Sequence, residues 1–257
     1  MNTPFDPRRV ELRPDELAGR IIAITGPTRG IGHAVALECA KRGATVVLIG
    51  RNVKRLEAVH AEIEAAGGPE AVIAPFDLEK AVAGDYDAIA AALMERYGRL
   101  DGLLHNASIL GMLAPIDHFD VPTWYRVMHV NTTAAFALTH VLLPVLKRSD
   151  DASIVFTSSS VGRKPRAFWG AYSVSKAAVE ALSEILSQEL ENVSHVRVNT
   201  INPGPARTAM RLQAYPSENP DTMTPPEAFA SAYVALLGPA SRGITGQRFD
   251  AQEPRAS

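Results

Sequence analysis

The stretch "GAYSVSK" sets Tyr172 four residues ahead of Lys176, one helical turn apart on a single face. A phenol beside an ammonium can pass a proton near neutrality. A free Tyr has a pKa of about 10, and lowering it by roughly three units asks for about 4 kcal/mol of preferential phenolate stabilisation, which a neighbouring cation can supply. With six Tyr and a comparable number of Lys in 257 residues, about one chain in seven would show this spacing by chance, so the context must add weight. Ser159 adds it, lying thirteen residues before Tyr172 just past the apolar run "SIVFT". A hydroxyl there can polarise a carbonyl oxygen while the phenol protonates it; Ser158 and Ser160 flank it at spacings that fit less well.

A second chemical feature lies near the amino terminus. In "IIAITGPTRGIGHAVALE", Gly26, Gly30 and Gly32 separate a strand pattern from a helix pattern. Glycine permits positive φ and close backbone approach, and a helix start turns unpaired N–H groups towards an anion such as a pyrophosphate. The spacing is GxxxGxG, a variant of the dinucleotide turn, and a turn with a purely structural role would look the same. The next strand ends "VVLIGRN" without the carboxylate that would accept from an NAD ribose. Arg51 stands there instead and Arg29 lies within the glycine turn, a pair able to hold a 2′-phosphate, so NADP(H) is expected over NAD(H). Isolated loop arginines are otherwise simply solvated.

These residues need a frame. From Ile21 onward strand-like runs alternate with helical patterns: "IIAIT", "GHAVALECAKRG", "TVVLI", "VKRLEAVHAEIEAAGG", "AVIAP", "DAIAAALMERYG", "GLLHN". The rhythm predicts an α/β fold: a single-domain, doubly wound parallel sheet of about seven strands with helices on both faces. Leu56, Val59 and Ile63 mark the buried stripe of the second helix, stopped by Gly67. A helix is expected from about Pro122 to Val145, then the strand "SIVFT", the helix carrying Tyr172, and the strand "VRVNTI". The Pro-rich segment 205–225 is too long for a routine connection and is expected to act as a lid. A last helix should begin near Pro225, capped by Thr224, before a short strand at "TGQRFD". The expected organisation is an arm over 1–19, the domain over 20–250 and a tail over 251–257.

Composition narrows the possibilities. With 46% hydrophobic and 21% charged residues the chain can bury a sizeable core. A net charge of −2 and the absence of basic runs argue against nucleic acid as a partner. The most apolar stretch, "AAFALTHVLLPVL", is broken by Thr139, His140 and Pro144, and the opening lacks a signal-like apolar run, so no membrane association and a cytoplasmic location are expected. Cys39, the only cysteine, falls in an apolar stripe and reads as a buried structural thiol. No metal is expected.

The order and spacing of "TGPTRGIG", "FDLEK", "LLHNAS", "VMHVNTTAAF", "SSSVG", "YSVSK" and "INPGPART" resemble the short-chain dehydrogenase/reductase family over residues 20–250, and within it the bacterial YciK-like reductases. The resemblance implies a Rossmann fold and an NADP(H)-dependent oxidoreductase interconverting a carbonyl compound and an alcohol. Asn131, Ser159, Tyr172 and Lys176 match the family's catalytic tetrad. Tyr172 would be general acid/base, Lys176 would also hold the nicotinamide ribose, and Asn131 would hold a water that resupplies protons. Cofactor contacts implied are Gly26, Thr28, Arg29, Gly30, Ile31 and Gly32 of the turn, Arg51, Asp77 and Leu78 at the adenine, Asn106 and Ala107, and Pro203, Gly204 and Thr208, the last at the nicotinamide carboxamide. A homodimer or homotetramer through the helices around 122–145 and 171–189 is also implied.

Two departures stand out: "HNAS" replaces the family's NNAG, and "FDAQ" stands where the family often has a glycine pair. His105 is expected to fill a satisfied polar position at the strand end, and Ser108 to alter the local fit. Leu110 to Leu113, Arg166 to Trp169 and the lid should enclose a small-molecule substrate, with Phe168, Trp169 and Met210 as an apolar wall. Arg163, Lys164, Arg166, Arg207 and Arg211 hint at an anionic one, although solvated loop charge reads as well. The rival readings are a 3-oxoacyl-carrier-protein reductase, which needs a basic docking patch, and a non-catalytic NADP(H)-binding regulator, which would not need Tyr172 and Lys176.

Overall fold

The computed structural model describes residues 4–253; residues 1–3 of the expected arm and 254–257 of the expected tail lie outside the described residues. Seven strands form one sheet: β1 Ile21–Thr25, β2 Thr45–Gly50, β3 Val72–Pro75, β4 Gly102–His105, β5 Ser153–Thr157, β6 Arg197–Asn202 and β7 Arg248–Asp250. All neighbours pair in parallel, in the order β3-β2-β1-β4-β5-β6-β7. Every residue of β1 and β5 is buried, which is why these strands read as unbroken apolar runs rather than alternating ones.

The two faces hold separate cores. Alternate residues of β1 point opposite ways: Ile22 and Ile24 pack with α1 (Gly30–Lys41), α2 (Val53–Ala65) and, from the far end of the chain, Ala230–Leu237. Ile21 and Ala23 pack with α3 (Ala83–Tyr97) and the helices Ala134–Leu146 and Gly170–Leu190. Leu56, Val59 and Ile63 are the buried residues of α2, and Gly67 follows it at φ +73°. Cys39 is fully buried, and that burial pushes its thiol pKa up, away from reactivity.

Two expected helices differ in detail. The run expected over 122–145 is α4 (Val121–Met128), a π turn His129–Thr133 and α5 (Ala134–Leu146). The wider turn falls on Asn131, and such turns recur at functional sites because they release backbone groups from the helical ladder. The run Val121–Leu146 is the one helix among the described residues long and apolar enough to cross a membrane, with an 18-residue window of mean hydropathy 1.2, and half of that window is buried within the protein. The final helix starts later than expected. Thr224 does not cap it; it bridges to Ala206 and accepts a hydrogen bond from the Arg207 amide, while a short turn at Pro226–Ala228 precedes the helix Ala230–Leu237.

The amino ends of the strands are closed by buried charge. Asp151 pairs with Arg20 at 3.2 Å and with Arg197 at 3.1 Å, and Arg197 also donates to the Leu236 and Gly238 carbonyls and to Ser241. Asp101 accepts from the Ile21 amide at 2.9 Å and from the Ser149 hydroxyl at 2.6 Å. Removing one partner of such a set strands the others, so Asp151→Ala should cost about 3–5 kcal/mol in denaturant unfolding. A loss below about 1 kcal/mol would mean the arginines find water instead.

Candidate active site

The carboxyl ends of the strands are open, and strand order reverses between β1 and β4, where doubly wound sheets leave a crevice. Here it is a cleft of about 720 Å³ that runs from the α1 turn to Trp169 and Tyr215. Ser159 follows β5 and precedes the short helix α6 (Ser160–Arg163), while Tyr172 and Lys176 sit in the first two turns of α7 (Gly170–Leu190). All three line the cleft. The Lys176 ammonium is buried and donates to the Thr157 carbonyl at 2.8 Å, 5.7 Å from the Tyr172 ring centre.

Burial governs the titration of this pair. It pushes Tyr172 up to about 12, against the opposing pull of the Ser159 hydroxyl, and lowers Lys176 to about 8, against the opposing pull of Glu180. The expected depression of the phenol is therefore not a property of these protein groups: loss of water around the phenolate outweighs what they return.

Asn131 lies beside this set rather than in the cleft wall. Its side chain accepts from the Ile109 amide at 2.8 Å, and it donates to the Ile109 carbonyl at 2.9 Å and the Ser175 hydroxyl at 3.0 Å. Ser175 in turn donates to the Tyr172 carbonyl at 2.8 Å, which ties the π turn to the turn of α7 that carries Tyr172. Asn131 also borders a cavity of about 10 Å³ shared with Lys176, Thr157 and His105, about the smallest space that admits one water. His105 is buried and stacked on Phe156 at 4.7 Å, as a satisfied strand-end residue should be. Thr139 gives its proton to the Ala135 carbonyl, so its oxygen accepts from His105 Nε2–H; burial lowers His105 to about 3 and keeps it neutral.

At the other end of the cleft, Gly26 and Gly30 adopt φ of +66° and +55°, a region open to glycine. Gly32 does not line the cleft but sits behind it, where a Cβ would collide with the Gly26 carbonyl and the Asn106 amide. Asn106 donates through Nδ2 to the Thr25 and Gly26 carbonyls at 3.3 Å, and the Asn106 and Ala107 amides converge on Thr25 Oγ1. Thr28, Arg29, Ile31, Arg51, Asp77, Leu78, Asn106, Ala107, Pro203, Gly204 and Thr208 all line the cleft beside Gly26 and Gly30. This side-chain-free cradle at a helix start, with arginines where β2 ends, fits a dinucleotide phosphate chain.

Several contributors were missed by sequence reasoning. Arg55, one turn into α2, joins Arg29 and Arg51 in the wall. Gln252 replaces the family's glycine pair with contacts of its own, donating to the Pro203 carbonyl at 2.7 Å and the Pro205 carbonyl at 3.1 Å. The substrate end also differs from expectation. Arg163 and Lys164 do not line the cleft; Arg163 is spent on Glu180, Asp250 and the Phe249 carbonyl. Arg211 lines it but pairs with Glu218 and stacks on Tyr215 at 3.8 Å. Phe168 is turned out to solvent, whereas Leu110, Val161, Trp169 and Met210 pack around Tyr172. Tyr215 extends this wall, 5.9 Å from Trp169.

The fold and the crevice together define a Rossmann-type dinucleotide-binding protein. Residues 20–219 match the family model for short chain dehydrogenases, and the chain belongs to this family of oxidoreductases. It is 43% identical to the oxidoreductase YciK of Escherichia coli K12 over 243 residues, covering 95% of this chain and 96% of that one. A short chain dehydrogenase structure from Pseudomonas syringae superposes with a TM-score of 0.93 at 52% identity, covering 94% of this chain and 98% of the other. A short chain dehydrogenase from E. coli CFT073, solved in complex with NADPH, superposes with a TM-score of 0.91 at 44% identity, covering 93% and 99%.

The buried ammonium has a measurable cost. The folded-state pKa of Lys176, about 8, lies below its unfolded value near 10.5, so folding at neutral pH works against a charge that is lost between those values. Lys176→Met should therefore be more stable than the parent at pH 7, by about 3 kcal/mol at most, with the advantage shrinking from pH 8 to 10.5. Urea unfolding at pH 7 and pH 10 checks this; a variant less stable at pH 7 would mean the Thr157 hydrogen bond outweighs desolvation.

Proposed function

We propose that this chain is an NADP(H)-dependent reductase and dehydrogenase that interconverts a carbonyl compound and an alcohol. The observation that carries the reading is the convergence of Ser159, Tyr172 and Lys176 on one wall of a cleft whose far end is a glycine cradle ringed by Arg29, Arg51 and Arg55. The NADPH complex of the E. coli CFT073 relative supports the same cofactor. When bound, the dinucleotide supplies the hydride in reduction and accepts it in oxidation.

In the reductive direction the Ser159 hydroxyl donates to the substrate carbonyl oxygen and holds it against the Tyr172 phenol. As the carbon gains hydride, negative charge grows on that oxygen and the Tyr172 proton passes to it, leaving phenolate. Lys176, charged below about pH 8, stabilises that phenolate and lies where it can reach the ribose. The polar cavity beside Asn131 supports a water route back to Lys176 for reprotonation. Trp169, Tyr215 and Met210 favour a substrate with an apolar or flat body, and segment 205–225, with helix α8 (Ala209–Ala214) inside it, serves as the lid. Exposed Tyr125, Phe136 and Ile185 on α4, α5 and α7 support assembly as a homo-oligomer, and we assign the enzyme to the cytoplasm.

The carrier-protein reading needs a basic docking patch, and two of the arginines around the substrate end, Arg163 and Arg211, are internally paired. The sensor reading is weaker because the proton-transfer set is intact. Tyr172→Phe should abolish turnover, by at least a thousandfold, while NADPH still binds with near-parental affinity by fluorescence titration; equal loss of both would remove Tyr172 from the chemistry. For the parent, kcat/KM of carbonyl reduction should fall above about pH 8 as the Lys176 ammonium is lost, since Tyr172 stays protonated to about 12. A profile flat to pH 10 would contradict the role given to Lys176.

A further inference from the structure

The adenosine end of the cleft contains a carboxylate that a 2′-phosphate should find repulsive. Glu79 lines the cleft beside Arg51, with Oε2 3.3 Å from Arg51 Nη1. It is held there by its own backbone, since the Glu79 amide donates to Asp77 Oδ1 at 3.1 Å. Arg126 on α4, which does not line the cleft, grips the same carboxylate in fork geometry: Nε to Oε1 at 2.7 Å and Nη2 to Oε2 at 3.1 Å. The hydrogen bond from Arg126 is the largest influence holding the Glu79 carboxyl below its usual range. Two arginines therefore compete for Glu79, and Arg126 has two contacts, one of them much shorter, to the single long contact of Arg51.

We infer that Arg126 is a positioning residue for cofactor choice: by occupying Glu79 it leaves the Arg51 guanidinium free for the 2′-phosphate. Arg51, Glu79 and Arg126 together carry one positive charge. Without Arg126 the remaining pair is neutral, and Arg51 is drawn onto Glu79, away from the ligand. The effect is confined to the 2′ position, so NADH, which carries a hydroxyl there, should not register it. The inference rests on the assignment of Arg51 to the 2′-phosphate.

The test is a fluorescence titration of the full-length protein with NADPH and with NADH, for the parent, Arg126→Met, Glu79→Gln, the double variant and Arg51→Ala. For half-exposed groups the expected loss of NADPH affinity in Arg126→Met is roughly fivefold, with NADH held within about twofold. Glu79→Gln should bind NADPH at least as tightly as the parent, and the double variant should match Glu79→Gln within about twofold. Parallel losses for both dinucleotides, a loss that persists in the double variant, or weaker NADPH binding by Glu79→Gln would each overturn the inference. Arg51→Ala separates the two claims. If it fails to narrow the preference for NADPH, the 2′-phosphate assignment falls; if it narrows the preference while Arg126→Met does not, only the role of Arg126 falls.

Discussion

The hydrogen bond from the Lys176 ammonium to the Thr157 carbonyl, at 2.8 Å, fixes the wall of the cleft on which Tyr172 stands. It joins the second turn of α7 to the last residue of β5, so the sheet edge and the helix face that must cooperate cannot drift apart. Burying an ammonium there is unfavourable, and the surroundings offset it piecemeal. Glu180, one turn further along α7 and itself buried, supplies the countercharge. That carboxylate is held by Arg163 at 3.0 Å, Thr200 at 2.8 Å and Arg248 at 3.3 Å. The Ser175 and Asn131 hydrogen bonds then set the turn that carries Tyr172. The Tyr172 and Lys176 pair is thus the tip of a polar network that reaches back to β6 and β7.

The sheet divides its labour between its two ends. At the amino ends Asp101 and Asp151 consume backbone donors and arginines, closing that side against ligands. At the carboxyl ends the same strands run into glycine, serine and asparagine turns that line the cleft. Charge follows the division: at the closed end Arg20 and Arg197 are paired with Asp151, whereas Arg29, Arg51 and Arg55 are exposed in the cleft wall. A long anionic ligand therefore meets exposed cations along its path, with Glu79, shared between Arg51 and Arg126, the one carboxylate set against them.

Much of this was legible in the sequence because buried parallel strands and amphipathic helices leave strong periodic signals, as in "IIAIT" and the Leu56, Val59, Ile63 stripe. Tyr172, Lys176 and Ser159 were legible as a set because the first two share one helix and Ser159 follows the strand on which that helix packs. What escaped depends on long-range packing with no local signature. Arg163 is basic and near Tyr172 in sequence, yet it turns to Glu180 and Asp250; Gln252 reaches the Pro203 turn from the far end of the chain. The phenol was expected to be acidic because a nearby cation is visible in a sequence, whereas the desolvation that raises it to about 12 becomes visible only with the packed structure. The π turn at Asn131 likewise lies within a run whose periodicity reads as plain helix.

In the proposed reaction, hydride leaves a dinucleotide in this cleft for a carbonyl carbon while Tyr172 protonates the oxygen. Incubating the full-length protein with NADPH deuterated at the nicotinamide C4, against a panel of ketones and aldehydes with apolar bodies, tests it most directly by mass spectrometry of the alcohols formed. One deuterium is expected on the carbinol carbon of at least one product. The label should also come from only one of the two C4 faces, the outcome expected of a ring bound in a single orientation. Tight NADPH binding with no labelled alcohol from any member of the panel would contradict it and leave a protein that senses the dinucleotide without turning it over.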